Sequence, residues 1–94
     1  MIFFLQSDVV LTTVCGENLL IAAGEARGKV PVVKGINTPG VYLWRLLEQG
    51  LDSAEISRRI MADYGVTAAE AEMALDRFVR ALSDSGYIVG SEEA

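Results

Sequence analysis

From Thr38 onward the chain repeats one pattern: a polar capping residue, a periodic apolar run, then glycine. That pattern constrains the fold more than any other feature, because it marks helices by both of their ends. Thr38 can cap a first helix with Pro39 at its first position, where the missing N–H costs nothing. Val41, Leu43, Trp44, Leu46 and Leu47 give it an apolar face, and Gly50 fits the left-handed position that follows. A second helix starts at the cap Asp52, with Glu55 three residues on and Leu51/Ile56 at hydrophobic-staple spacing. Ile56, Ile60 and Tyr64 form its stripe, and Gly65 closes it. A third opens on the capping box Thr67–Glu70. Its expected buried stripe is Ala71, Ala74, Leu75, Phe78, Ala81 and Leu82, ending at Gly86. Tyr87–Val89 then resumes an extended path.

The residues before Thr38 read as strands. Asp8–Val14 is rich in β-branched residues. Cys15–Asn18 supplies a turn, and Leu19–Ala23 continues as a buried strand, so the pair predicts a hairpin. Gly24–Lys29 is a polar loop. Val30–Asn37 predicts a third strand, placed at a sheet edge by Pro31, which cannot donate to a ladder. Gly35 within it predicts a bulge or a close approach. Asn37-Thr38-Pro39 stops this strand and starts a helix abruptly, with Trp44 anchoring the helix beneath the sheet. The fold class expected is α+β: a winged helix-turn-helix-like domain, with a three-stranded antiparallel sheet followed by a three-helix cluster. Residues 1–94 are expected to form a single domain, with 1–7 and 90–94 as flexible ends and Ser91–Ala94 frayed.

Composition narrows function by exclusion. The chain has 94 residues, 51% of them apolar, with no histidine, one cysteine and a net charge of −5. Its mean hydropathy is +0.32. That is too apolar for disorder. No imidazole is available for acid–base or zinc chemistry, and Cys15 alone cannot build a disulfide or a multi-cysteine metal site. No pair of carboxylates suggests catalysis; Glu70 and Glu72 do not share a helix face. The reading is a non-enzymatic protein without a cofactor or metal. The apolar N-terminus is interrupted by Asp8, has no basic region before it and is too short to span a membrane. Cytoplasm is the expected compartment, with no membrane partner.

The helical half carries a further signal. Ile36-Asn37 precedes the first helix, and Trp44 and Leu46-Leu47 lie inside it. Ala54-Glu55-Ile56, Tyr64-Gly65-Val66 and Leu82 with Gly86-Tyr87-Ile88 follow in order. Together, over roughly Asp8 to Val89, these features resemble the PqqD-like family of precursor-peptide recognition elements, named for pyrroloquinoline quinone synthesis. Many of its members have an aromatic-rich third strand running into Leu-Asn, where this chain has Val32-Val33-Lys34-Gly35-Ile36-Asn37.

The resemblance implies a peptide chaperone. Such proteins bind the leader segment of a ribosomally synthesised precursor and present the core to a modifying enzyme, often of the radical SAM type. The leader adds as an extra strand along the third strand, in the groove beside the third helix. Carried onto this sequence, the peptide-binding residues are Val32, Val33, Lys34, Gly35 and Ile36 on the strand, with Met73, Arg77, Phe78, Arg80 and Ala81 on the helix. Each has a plainer reading. Val33 and Ile36 suit a half-buried strand core. Met73, Arg77, Arg80 and Asp84 suit a solvated face with an Arg80–Asp84 ion pair. Arg58 and Arg59 are expected in solvent, Trp44 in the core, and Cys15 inert in its turn.

Two other classes fit the topology. A winged-helix DNA-binding regulator would read bases with Arg77 and Arg80, but the acidic chain and Asp76 and Asp84 on that helix weigh against nucleic acid. An accessory subunit would pair its exposed edge strand with another protein or with a second copy, giving a homodimer.

Overall fold

The computed structural model describes residues 1–93; Ala94, the last residue of the expected frayed tail, lies outside them. The sheet forms as the alternation requires. Strands β2 (Val9–Val14), β3 (Glu17–Ala22) and β4 (Val33–Ile36) make an antiparallel three-stranded sheet in the order β2-β3-β4. Helices α1 (Thr38–Glu48), α2 (Ser53–Tyr64) and α3 (Ala68–Asp84) follow. This is the expected α+β, winged-helix-like arrangement.

The β2–β3 turn is tighter than its sequence suggested. Val14 pairs with Glu17, so only Cys15 and Gly16 form the loop. Both have positive φ, 52° and 80°, as hairpin turns of the type that match strand twist require. Gly16 adopts this freely, but Cys15 carries a Cβ that crowds its own carbonyl there. A Cys15→Asn variant is expected to gain roughly 0.5–1 kcal/mol in urea unfolding, since Asn tolerates that region.

Each helix start is satisfied by a side chain. Asp52 Oδ1 accepts from Glu55 N at 2.9 Å. Thr67 Oγ1 accepts from Glu70 N at 3.2 Å, while Glu70 Oε1 accepts from Thr67 N at 3.0 Å. The capping bonds hold the Glu70 carboxyl below its ordinary range. At α1 the cap is Asn37, not Thr38: Asn37 Oδ1 accepts from Gly40 N at 2.9 Å. A Cβ on Gly40 would lie 2.6 Å from Ile36 Cγ1. The strand-to-helix junction therefore closes directly onto the end of β4.

The core gathers Leu11, Leu20 and Ala22 of the sheet with Trp44, Leu47, Ile56, Ile60, Ala71, Leu75 and Leu82 of the helices, and Tyr87. Trp44 is 1% exposed and meets the Tyr87 ring edge-on at 6.1 Å between centroids. Its indole N–H has no protein acceptor among the described residues, so ring burial supplies its stabilisation.

Several sequence expectations are corrected. Within the ends expected to be flexible, 1–7 and 90–94, Ile2–Leu5 and the residues through Glu92 form strands. Strand β1 (Ile2–Leu5) pairs antiparallel with β5 (Ile88–Glu92) in a separate two-stranded ribbon. The 24–29 loop contains a short 3-10 turn, Gly24–Gly28, that buries Ala26. The third strand spans Val33–Ile36, not Val30–Asn37, because Val30 turns into the core. Gly35 makes neither a bulge nor a close approach: its register with Leu19 is unbroken, and an added Cβ would meet nothing. Tyr64, Ala74 and Ala81 are exposed. They flank their stripes instead of filling them.

Tyr64 is occupied otherwise. Its ring tilts against Tyr42 of α1 at 5.2 Å, and Tyr42 donates its hydroxyl to Asp63. Burial, then the hydrogen bond and charge of Asp63, push the Tyr42 hydroxyl up to about 12. The folded state thus favours the neutral phenol. This contribution is complete below the ordinary tyrosine value of about 10 and disappears as pH rises through about 12. Burial raises Tyr87 in the same sense. Urea midpoints are expected to fall from pH 10 to 12, and to fall less in Tyr42→Phe, which keeps only the Tyr87 part.

Candidate functional site

In the β2-β3-β4 sheet, β4 has a neighbour on one side only. The hydrogen-bond phase shows what its other side offers. Ala22 N donates to Val32 O at 2.9 Å, and Lys34 and Ile36 stand opposite Leu20 and Asn18. In an antiparallel ladder these alternate residues turn their backbone groups toward β3. The N–H and C=O of Val33 and of Gly35 therefore face outward. Pro31, in the same phase, has no donor, and its carbonyl accepts from the Tyr87 hydroxyl at 3.4 Å.

The side chains alternate with the backbone. Lys34 lies in the row of Leu11 and Leu20, on the sheet face that packs against the helices. Lys34 and Ile36 are half-buried there, with Ile36 against the core. Val33 points to the opposite face and is 56% exposed. Val32, just before the strand, is exposed.

Helix α3 runs past β4 in the opposite direction. The 29–31 segment lies against the end of α3, where a Cβ on Gly86 would come within 2.9 Å of Lys29 O. Beyond the other end of β4, Pro39 and Leu43 of α1 share a cleft with Glu70 and Ala74 of α3, closed by Ile60, Tyr64 and Val66. It holds about 240 Å3 and is walled almost wholly by apolar atoms. Arg77, Phe78 and Ala81 continue the Ala74 side of the helix by helical spacing. Phe78 is half-buried against the core, while Arg77 and Ala81 are exposed. Three larger depressions are present: a shallow one along β3 and β4, between Glu17–Leu19 and Gly35–Thr38, and two elsewhere, one beside β1 and Trp44 and one between α2 and α3. Neither of the latter two adjoins β4.

The residues expected at this site divide. Val32, Val33, Lys34, Gly35 and Ile36 lie on or beside the free edge, and Arg77, Phe78 and Ala81 on the adjoining side of α3. By helical spacing Met73 and Arg80 stand next to Arg77 on the exposed side of that helix, further round from Ala74. Arg80 Nε pairs with Asp76 Oδ2 at 3.1 Å, and not with Asp84. The two carboxylates are each four residues from Arg80, and the upstream one takes it. The cleft residues Pro39, Leu43, Tyr64, Val66, Glu70 and Ala74 were not foreseen as a site. Tyr64, an aromatic in the last turn of a helix, was the signal available.

The family model described as coenzyme PQQ synthesis protein D matches residues 32–88, from the free edge through α3 to β5. The chain belongs to the PqqD family. Among solved structures, this PqqD-family chain is similar to TbiB1 in complex with the TbiA(beta) leader peptide. Sequence identity is 27%, coverage is 95% of this chain and 98% of that one, and the TM-score is 0.75. The likeness therefore extends well beyond the part matched by the family model. A search of curated proteins finds no significant match.

Proposed function

We propose that this chain binds the leader segment of a ribosomally synthesised precursor peptide, as an added strand on β4, and presents it to a separate modifying enzyme. The observation that carries this reading is the outward-facing Val33–Gly35 edge beside α3, in a chain that aligns end to end with leader-bound TbiB1. Four outward backbone groups can form ladder bonds worth roughly 0.5–1.5 kcal/mol each. Ordering an unstructured guest costs about 2–5 kcal/mol, so pairing alone leaves little. Micromolar affinity needs about 8 kcal/mol net. The balance falls to side chains, at about 1.5–3 kcal/mol for each aliphatic group fully buried. The apolar cleft at the end of β4 is the place for one.

The chain's chemistry fits a carrier without catalysis. It contains no histidine, its one cysteine is exposed on a turn, and no metal-binding group of side chains occurs among the described residues. No helix among them is long and apolar enough to cross a membrane. A radical SAM enzyme is the modifying partner we favour, on family resemblance.

The test is amide hydrogen exchange, with the leader segment of a precursor peptide sought in the reading frames beside this gene as titrant. The Val33 and Gly35 amides should gain protection on saturation, while those of β2 stay unchanged. Saturable binding without protection at these two amides would refute strand addition at β4.

A further inference from the structure

The cations of this acidic chain are unevenly engaged. Arg45, Arg58, Arg59 and Arg80 each pair with a carboxylate on their own helix. Among the described residues, Arg27, Lys29, Lys34 and Arg77 make no ion pair. All four lie on the elements around the groove. Arg27 and Lys29 belong to the 3-10 turn and its cap, against the end of α3. Lys34 stands on β4, on its helix-facing side, and Arg77 on α3, one turn beyond the cleft residue Ala74. Asp84, Glu25 and Asp8, whose carboxylate lies against Gly24, share this end, and none of them forms an ion pair with these four cations. The opposite end has the apolar cleft and the carboxylate of Glu70.

The groove therefore has two unlike ends. It is cationic where β4 begins and apolar where β4 finishes. Resting on the leader-binding reading above, we propose that it selects an acidic extended peptide in one orientation. An apolar anchor enters the cleft of Leu43, Tyr64 and Ala74, and carboxylates further along meet Lys34, Arg77 and Lys29. Antiparallel addition is the more stable pairing, and it places the guest's N-terminal side at the cleft. The guest's apolar residue therefore precedes its acidic residues. From Ile36 back to Val32 an extended chain covers about 13 Å, so the separation is about four to five residues.

Four synthetic twelve-residue peptides test this by fluorescence anisotropy. One carries Leu-Ile followed, five residues later, by Asp-Glu. The second has Lys-Lys in place of Asp-Glu, the third Gln-Gln, and the fourth is the first in reverse order. The first is expected to bind at least tenfold tighter than the second and fourth, with the third between, and the margin should shrink in high salt. Arg77→Glu combined with Lys34→Glu should reverse the preference between the first and second peptides. Circular dichroism of that variant should match the parent, since Arg77 is exposed and Lys34 only half-buried. Equal binding of the first three peptides, or an acid preference kept by the variant, overturns the proposal and leaves strand addition standing. Equal binding of the first and fourth overturns the orientation. No binding by any of the four overturns the proposal, while leader binding itself stands or falls by the hydrogen-exchange test above.

Discussion

Trp44→Ala is expected to lose about 3–5 kcal/mol of stability, the range for removing a large buried aromatic. A domain of this size holds on the order of 5–15 kcal/mol in total. At several degrees per kcal/mol, the thermal midpoint should fall by about 20 °C. The reason is position more than size. Trp44 is 1% exposed, meets Tyr87 edge-on and lies along the floor beneath β1. It thus joins α1, the terminal ribbon and the segment after α3. Removing the ring leaves a void that three elements would have to fill. Trp44→Phe should recover most of that loss, because it keeps an aromatic face and removes the unpartnered indole N–H. Thermal melts by circular dichroism decide this; a fall below about 5 °C for Trp44→Ala would show that the neighbours collapse into the gap.

The second large effect concerns binding. Val33→Pro removes an N–H that faces away from β3, so the ladder within the sheet is left intact. Leader affinity is expected to drop at least tenfold by calorimetry, with helicity unchanged. The neighbouring substitution supplies the contrast. Lys34 N–H faces β3 opposite Leu20, so Lys34→Pro removes an internal bond and should lower stability instead. One residue of displacement thus separates a binding defect from a folding defect. If the two variants behave alike, the assigned hydrogen-bond phase of β4 is wrong.

The helices were legible because their ends are written in local chemistry. Asp52 and Thr67 cap as expected, and Gly50, Gly65 and Gly86 all take positive φ. Only at the first helix did a nearer competitor prevail, Asn37 reaching Gly40 N in place of Thr38. The terminal ribbon was hidden because Ile2 and Glu92 are partners from opposite ends of the chain. Such pairing leaves no local mark, and Ile2-Phe3-Phe4-Leu5 has no alternation to betray a strand. For the site, Pro31 announced an edge. The cleft was obscured because Ala74 and Tyr64 fit the arithmetic of a buried stripe, yet lie on its margin. Periodicity fixes an angle around a helix, and whether that angle meets a neighbour depends on how the helices cross. The charge pattern was beyond reach for a similar reason. Arg80 had two equivalent candidates, and its choice of Asp76 decided which arginine of α3 stays unengaged.

The β1–β5 ribbon has an engineering consequence. Because Ile2 and Glu92 are antiparallel partners, the backbone enters and leaves the molecule about 5 Å apart. A loop of a host protein could be opened and this unit spliced in without stretching the host across a gap. The proposed peptide-binding edge would then ride on a foreign scaffold through one narrow stalk, with the ribbon as its handle.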